Sequence, residues 1–143
     1  MELSALKIVL GTFGYLAITF PLAYGWHLVA FEATYDQLGY ISRNEPIIAF
    51  GFGAILLQGV LLAAIYPQLC RASSRFRRVL TFVVGLGGYH WTGHVLASAA
   101  KHHIEPLTTW FPLETAYLAI QFLLGGIWLE FVYRHDRQLP AST

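Results

Sequence analysis

Charge is scarce in this sequence, and the few charged residues lie in short clusters. Only 12% of the 143 residues are Asp, Glu, Lys or Arg, whereas 56% are hydrophobic. Soluble domains usually carry about 25% charged residues. A chain of this length has too little interior to bury the uncharged segments between the clusters, so the composition indicates an integral membrane protein. The net charge of +1 gives no reason to expect nucleic acid as a partner.

Cysteine is also nearly absent. Cys70 is the one cysteine, so the chain can form neither an internal disulfide nor a CxxC pair for zinc or redox chemistry. A cleavable signal peptide is not expected either. The uncharged run after Lys7 covers 8–31, which is longer than the roughly 7–15 apolar residues of a signal peptide. We therefore expect this run to remain as the first membrane span.

Four segments are expected to be transmembrane helices: 6–31, 46–69, 79–101 and 112–133. About 20 helical residues cross a hydrocarbon core of about 30 Å. The fourth segment qualifies only if Glu114 and Glu130 lie near the two interfaces, with Glu130 paired to Arg134 one turn later. The sequence thus predicts an all-α integral membrane protein, a single domain over 1–143 that forms a four-helix transmembrane bundle.

The basic residues predict the orientation of this bundle. If the N-terminus is cytoplasmic, seven of the nine Lys and Arg residues lie on the cytoplasmic side, and only Arg43 and Lys101 lie outside. The connecting loops are short enough for the positive-inside rule to apply. We therefore expect both termini in the cytoplasm (N-in/C-in) and a location in a bacterial inner (plasma) membrane.

Polar side chains inside a membrane are costly, and they are the best indication of a site. His90 and His94 are four residues apart, so they share one helix face. Together with the carboxylate of Glu114, they are the predicted metal ligands. Four further side chains on the other helices are predicted to bind a ligand in the same outward-opening pocket: His27, Gln58, Tyr117 and Gln121.

The sequence leaves the content of this pocket open between a transition metal, haem and a small ligand. The leading hypothesis is a small membrane protein with such a pocket, which could serve as an accessory subunit of a larger membrane complex or as a homodimer. One alternative is a membrane-embedded enzyme that uses His90, His94 and Glu114. Another is a small proton-coupled transporter. A purely structural role, in which the histidines only hydrogen-bond between helices, competes with all of these.

Small residues predict where helices pack closely. Gly85, Gly93 and Ala97 lie on one face of the third predicted span, together with Tyr89. Small side chains allow two helix backbones to approach each other. We therefore expect Gly93 to lie against a neighbouring helix of the bundle.

Overall fold

The computed structural model describes residues 4–41, 43 and 45–134, and helices make up most of them. The first long helix, α1, covers Ala5–Ala30 and ends in a π-helical turn over Trp26–Ala30. A short helix, α2 (Glu32–Leu38), and a second long helix, α3 (Ile48–Leu69), follow. Helix α4 runs without a break over 75–101, and α5 covers Leu107–Tyr133.

Three of these helices are long and apolar enough to cross a membrane: α1, α3 and α5. They correspond to the predicted spans 6–31, 46–69 and 112–133. The predicted span 79–101 lies within α4, but α4 is not among the three helices that meet those criteria. Between its arginines and Lys101, α4 contains two histidines and four glycines, which make this stretch less hydrophobic than those three helices.

Two features of the connecting segments add to the picture expected from the sequence. Helix α5 begins at Leu107, so Pro112 lies inside the helix and does not mark its start. The proline lacks an N–H group and so costs the helix the bond to the carbonyl of Thr108. The segment between the first two spans contains the helix α2, which ends at Gly39 in the left-handed conformation (φ 72°) that favours glycine.

Helix α1 packs against both α3 and α5, and α5 also packs against α4. The contact between α1 and α3 depends on small residues. A Cβ atom at Gly11 would lie 2.9 Å from that of Ala63, and a Cβ atom at Gly59 would lie 3.1 Å from the carbonyl oxygen of Thr12. Neither position has room for a larger side chain unless the backbones move apart.

The expectation for Gly93 is wrong. Gly85 and Gly93 are exposed, no atom lies within 4 Å of a Cβ atom built on either of them, and Tyr89 is 80% exposed. The face of α4 that contacts α5 instead includes Gly87, where a Cβ atom would lie 3.0 Å from the ring of Phe122. The small residues around Gly93 therefore lie on the outer surface of the helix bundle.

Large apolar side chains cover the outside of the bundle. Soluble monomers rarely expose apolar patches larger than a few hundred Å². Here every long helix exposes bulky hydrophobic residues, as a surface in contact with lipid requires. Examples with more than half of their surface exposed are Phe13, Phe50, Leu57, Phe76, Val84 and Phe131. The three long apolar helices and this surface are those of a membrane protein.

An ion pair is buried at the end of the bundle that carries Arg71, Arg75, Arg77 and Arg134, which we call the arginine end. The guanidinium of Arg78 donates two hydrogen bonds to the carboxylate of Glu130, one of them 2.8 Å long from Nε to Oε2. Tyr66 on α3 donates a third at 2.9 Å. The sequence predicts Arg134 as the partner of Glu130, whereas the structure places Arg78 against its carboxylate, and the Arg134 guanidinium lies 4.2 Å from the centroid of the Phe131 ring.

Candidate functional site

The polar residues predicted from the sequence lie in two groups at different depths in the bundle. The first surrounds Glu114 at the end of the bundle opposite the arginines, which we call the histidine end. It includes His27, His94 and Tyr117 and is extended by His90. The second group contains Gln58 and Gln121 near the middle of the bundle.

Glu114 is fully buried, and both of its carboxylate oxygens are hydrogen-bonded. Nε2 of His27, on α1, lies 3.1 Å from Oε1. Nε2 of His94, on α4, lies 3.0 Å from Oε2. Tyr35, on α2, donates its phenolic hydrogen to Oε1. One carboxylate on α5 therefore holds side chains from three other helices together, and we refer to these four residues as the Glu114 centre.

Both histidines of this centre lie on π-helical turns. His27 belongs to the turn Trp26–Ala30, and His94 belongs to the turn Thr92–Leu96. Each such turn holds an extra residue within its hydrogen-bonded ring, and turns of this kind are frequent at functional sites. The extra residue changes the direction in which the following side chains project, so the local helix geometry contributes to placing both imidazoles against Glu114.

Tyr35 completes the Glu114 centre, and it was not predicted because tyrosines near span ends are common at membrane interfaces. Its hydroxyl also accepts a hydrogen bond of 3.1 Å from the indole of Trp26. Burial raises the pKa of Tyr35 far above its ordinary value, and the hydrogen bond with Glu114 raises it further. Burial likewise raises the pKa of Tyr40 to about 12, with a smaller contribution from Glu114. Both phenols stay protonated near neutral pH.

His90 is placed differently from the other predicted metal ligands. Its ring stacks on that of His94, with centroids 5.4 Å apart and planes 15° apart, and it packs on Phe122 at 5.6 Å. Among the described residues, no group of three or more His, Cys, Asp or Glu side chains is arranged to hold a metal ion. The metal set of His90, His94 and Glu114 therefore stays a prediction that this geometry does not support.

The middle group is organised by a residue that the sequence analysis did not select. The hydroxyl of Tyr15, on α1, accepts a hydrogen bond of 2.6 Å from Nε2 of Gln121 on α5. It donates one of 3.4 Å to Oε1 of Gln58 on α3. Tyr15 thus links three helices through buried polar groups, which is the usual structural role of such residues in membrane bundles.

The hydrogen-bond partners of His27 define where protons can lie. Its Nδ1 is 2.9 Å from the carbonyl oxygen of Ala23, which can only accept, so Nδ1 carries a hydrogen. Its Nε2 then either carries a second hydrogen, as an imidazolium facing a carboxylate, or accepts one from a protonated Glu114. These two states differ only in the position of one proton along one hydrogen bond. The geometry therefore allows one proton to lie on either His27 or Glu114.

A small cavity adjoins this centre between α1 and α3. Its volume is about 170 Å³, and His27 and Tyr24 are the polar side chains on its wall. The rest of the wall is apolar and includes Phe20, Leu28, Ile48 and Ile55. The side chain of His27 is 16% exposed, whereas that of Glu114 is not exposed at all. His27 is thus the member of the pair that a proton or a ligand would meet first.

Comparison of the chain with protein-family models, with curated proteins and with solved structures gave no match.

Proposed function

We propose that the protein is a small proton-coupled membrane transporter that spans the bilayer four times, has both ends in the cytoplasm and binds its proton at the Glu114 centre. The observation that carries the proposal is the fully buried carboxylate of Glu114, held by His27 and His94 from two other helices. Ionisable residues within membrane bundles commonly mark ion pathways and proton relays. Histidine changes charge near neutral pH, which suits a group that must load and release a proton.

Two features support α4 as the fourth span. Its 27 residues would extend about 40 Å at 1.5 Å per residue, more than the roughly 30 Å of a hydrocarbon core. It also packs against α5, and its two histidines lie in its second half, where His94 reaches Glu114. With four spans, the arginine end faces the cytoplasm and the histidine end faces outward, in accord with the positive-inside rule. Arg137, which that rule also counts, lies outside the described residues.

Cysteine labelling tests this topology. In a Cys70→Ala background, cysteines introduced at Asp36 and His103 should react with a membrane-impermeant maleimide added to intact cells, because both positions are exposed at the histidine end. A cysteine at Ser74, exposed at the arginine end, should react only after the cells are opened. Labelling in the opposite order would reverse the proposed orientation. Ser142, which the sequence also predicts to be cytoplasmic, lies outside the described residues.

The geometry favours proton transfer over the other functions expected from the sequence. The Nε2 atoms of His27 and His94 each face a different oxygen of the same carboxylate. They do not converge on a common point, as metal ligands do. The metal, haem, enzyme and accessory-subunit hypotheses, the inner-membrane location and a homodimer stay predictions from the sequence.

Proton uptake by liposomes tests the proposed function. Liposomes containing the purified protein and a pH-sensitive dye are given an inside-negative potential with potassium and valinomycin. No substrate is supplied, so the assay measures the proton leak through the carrier, and we expect protons to enter faster than in liposomes without protein. Glu114→Gln should reduce the rate to that of protein-free liposomes, because a neutral amide cannot exchange the proton with His27.

The matched control is His102→Gln, since His102 is an exposed histidine at the same end of the bundle. This variant should keep the wild-type rate. Infrared spectra should show a carboxylate band that shifts between about pH 5 and pH 8, where histidine changes charge, and this band should be missing in Glu114→Gln. If the wild type carries no protons and no such signal exists, the Glu114 centre is structural and the proposed function is wrong.

A further inference from the structure

A groove on the outer surface at the arginine end has no role in the proposed function. It lies between α4 and α5 and has a volume of about 470 Å³. Glu130, whose carboxylate is bound by Arg78, lines the groove. The rest of both walls is apolar, with Phe76 and Val83 from α4 and Leu123 and Ile127 from α5. Phe76 and Ile127 are 75% and 52% exposed, so these walls face what surrounds the bundle.

Two arginines stand at one end of this groove. Arg75 begins α4, and Arg134 follows the last residue of α5, so the antiparallel helices bring both guanidinium groups to the same end. Arg134 is held there by its contact with the ring of Phe131. The nearby Arg78 is not available to a ligand in the same way, because its guanidinium is buried against Glu130.

The length of the groove matches one leaflet of a bilayer. The segment from Arg75 to Val83 rises about 12 Å, and the segment from Arg134 back to Leu123 rises about 16 Å. Half of a hydrocarbon core measures about 15 Å. A groove with two cations at the interface and apolar walls down to the bilayer centre has the charge distribution that complements an anionic lipid.

We infer that this groove binds one anionic phospholipid per chain, with the lipid phosphate on Arg75 and Arg134 and an acyl chain along the apolar walls. Basic pockets between helices at the cytoplasmic face are a known way to recognise anionic headgroups. The guanidinium group suits this role because its N–H groups can donate in pairs to phosphate oxygens. This inference is independent of the Glu114 centre, which lies at the opposite end of the bundle.

The test uses purified protein in a neutral detergent, with phosphatidylglycerol and phosphatidylcholine of identical acyl chains as probes. Native mass spectrometry should show one phosphatidylglycerol retained per chain, at concentrations where phosphatidylcholine is lost. Phosphatidylglycerol should also raise the thermal midpoint more than phosphatidylcholine does. Inorganic phosphate at the same concentration should have no effect, because it cannot occupy the apolar walls.

Two double variants, each of which removes two positive charges, distinguish lipid binding in the groove from general attraction of the lipid to basic residues. Arg75→Gln/Arg134→Gln should abolish the preference for phosphatidylglycerol. Arg71→Gln/Arg77→Gln should keep it, because these exposed arginines do not line the groove. Equal retention of the two lipids by the wild type would overturn the inference. So would an equal loss of preference in both double variants, provided that their midpoints without lipid match that of the wild type.

Discussion

Replacing Arg78 with methionine should lower the free energy of unfolding by about 3–5 kcal/mol, the usual cost of leaving a buried charge without its partner. Arg78 and Glu130 are 7% and 6% exposed, so water cannot solvate the carboxylate that remains. The hydrogen bond from Tyr66 would persist, but a neutral donor does not replace two bonds from a guanidinium. Unfolding in mixed micelles with increasing SDS measures the change.

Two further variants show whether this loss comes from the unpaired charge. Arg77→Met removes an exposed arginine next to Arg78 and should change the stability by no more than about 0.5 kcal/mol. Adding Glu130→Leu to Arg78→Met should recover most of the loss, because replacing both members of a buried ion pair is often nearly neutral. If the double variant is no more stable than Arg78→Met, the arginine acts through its bonds to the carbonyls of Ala72 and Ser73 instead.

This ion pair also shows what the sequence could not provide. From spacing alone, Glu130 has a basic neighbour four residues later, and the i, i+4 rule pairs it with Arg134. The true partner lies 52 residues earlier in the chain, on a helix whose rotation about its axis no local pattern reveals. Arg78 also appears in the sequence as one of four clustered arginines, although it alone among them is buried.

More of the Glu114 centre than of the Arg78–Glu130 ion pair could be predicted from the sequence. The uncharged runs place His27, His94 and Glu114 near the same end of three helices, and α4 and α5 are joined by a short connection. Proximity along the bundle axis was therefore predictable. The hydrogen bond of Tyr35 with Glu114 was not predictable, since it depends on α2 folding back over the bundle. The shared face of His90 and His94 was predictable as well, since their rings stack, but the contact of His90 with Phe122 depends on how α4 is rotated against α5.

The glycines also show that spacing alone does not reveal which face of a helix meets another helix, and this can be tested. Spacing shows that Gly85 and Gly93 share a face of α4, but it does not show whether that face meets a helix or lipid. Gly59 was no more conspicuous in the sequence than Gly93, yet it lies where α3 crosses α1. Helix contacts in a membrane depend on close backbone approach, so the two positions should respond very differently to a larger side chain.

Gly59→Leu should destabilise the bundle by about 3 kcal/mol, at the upper end of the usual cost of overpacking. A Cβ atom at Gly59 already lies 3.1 Å from the carbonyl oxygen and 3.3 Å from the Cα atom of Thr12. Because these are backbone atoms, no change of rotamer can make room, and α1 must move away from α3. Gly59→Ala should cause a smaller loss of about 1 kcal/mol, since a single methyl group requires a shift of only a few tenths of an ångström.

Gly93→Leu is the matched control, because it makes the same substitution at an exposed glycine with no atom within 4 Å of its added Cβ. The leucine should extend into detergent and leave the free energy of unfolding within about 0.5 kcal/mol of the wild type. It should also improve the local helix propensity relative to glycine. If Gly93→Leu lost as much stability as Gly59→Leu, this face of α4 would have to be packed, and the arrangement of α4 against α5 would be wrong. If both variants were harmless, the close contact of α3 with α1 through Gly59 would not exist.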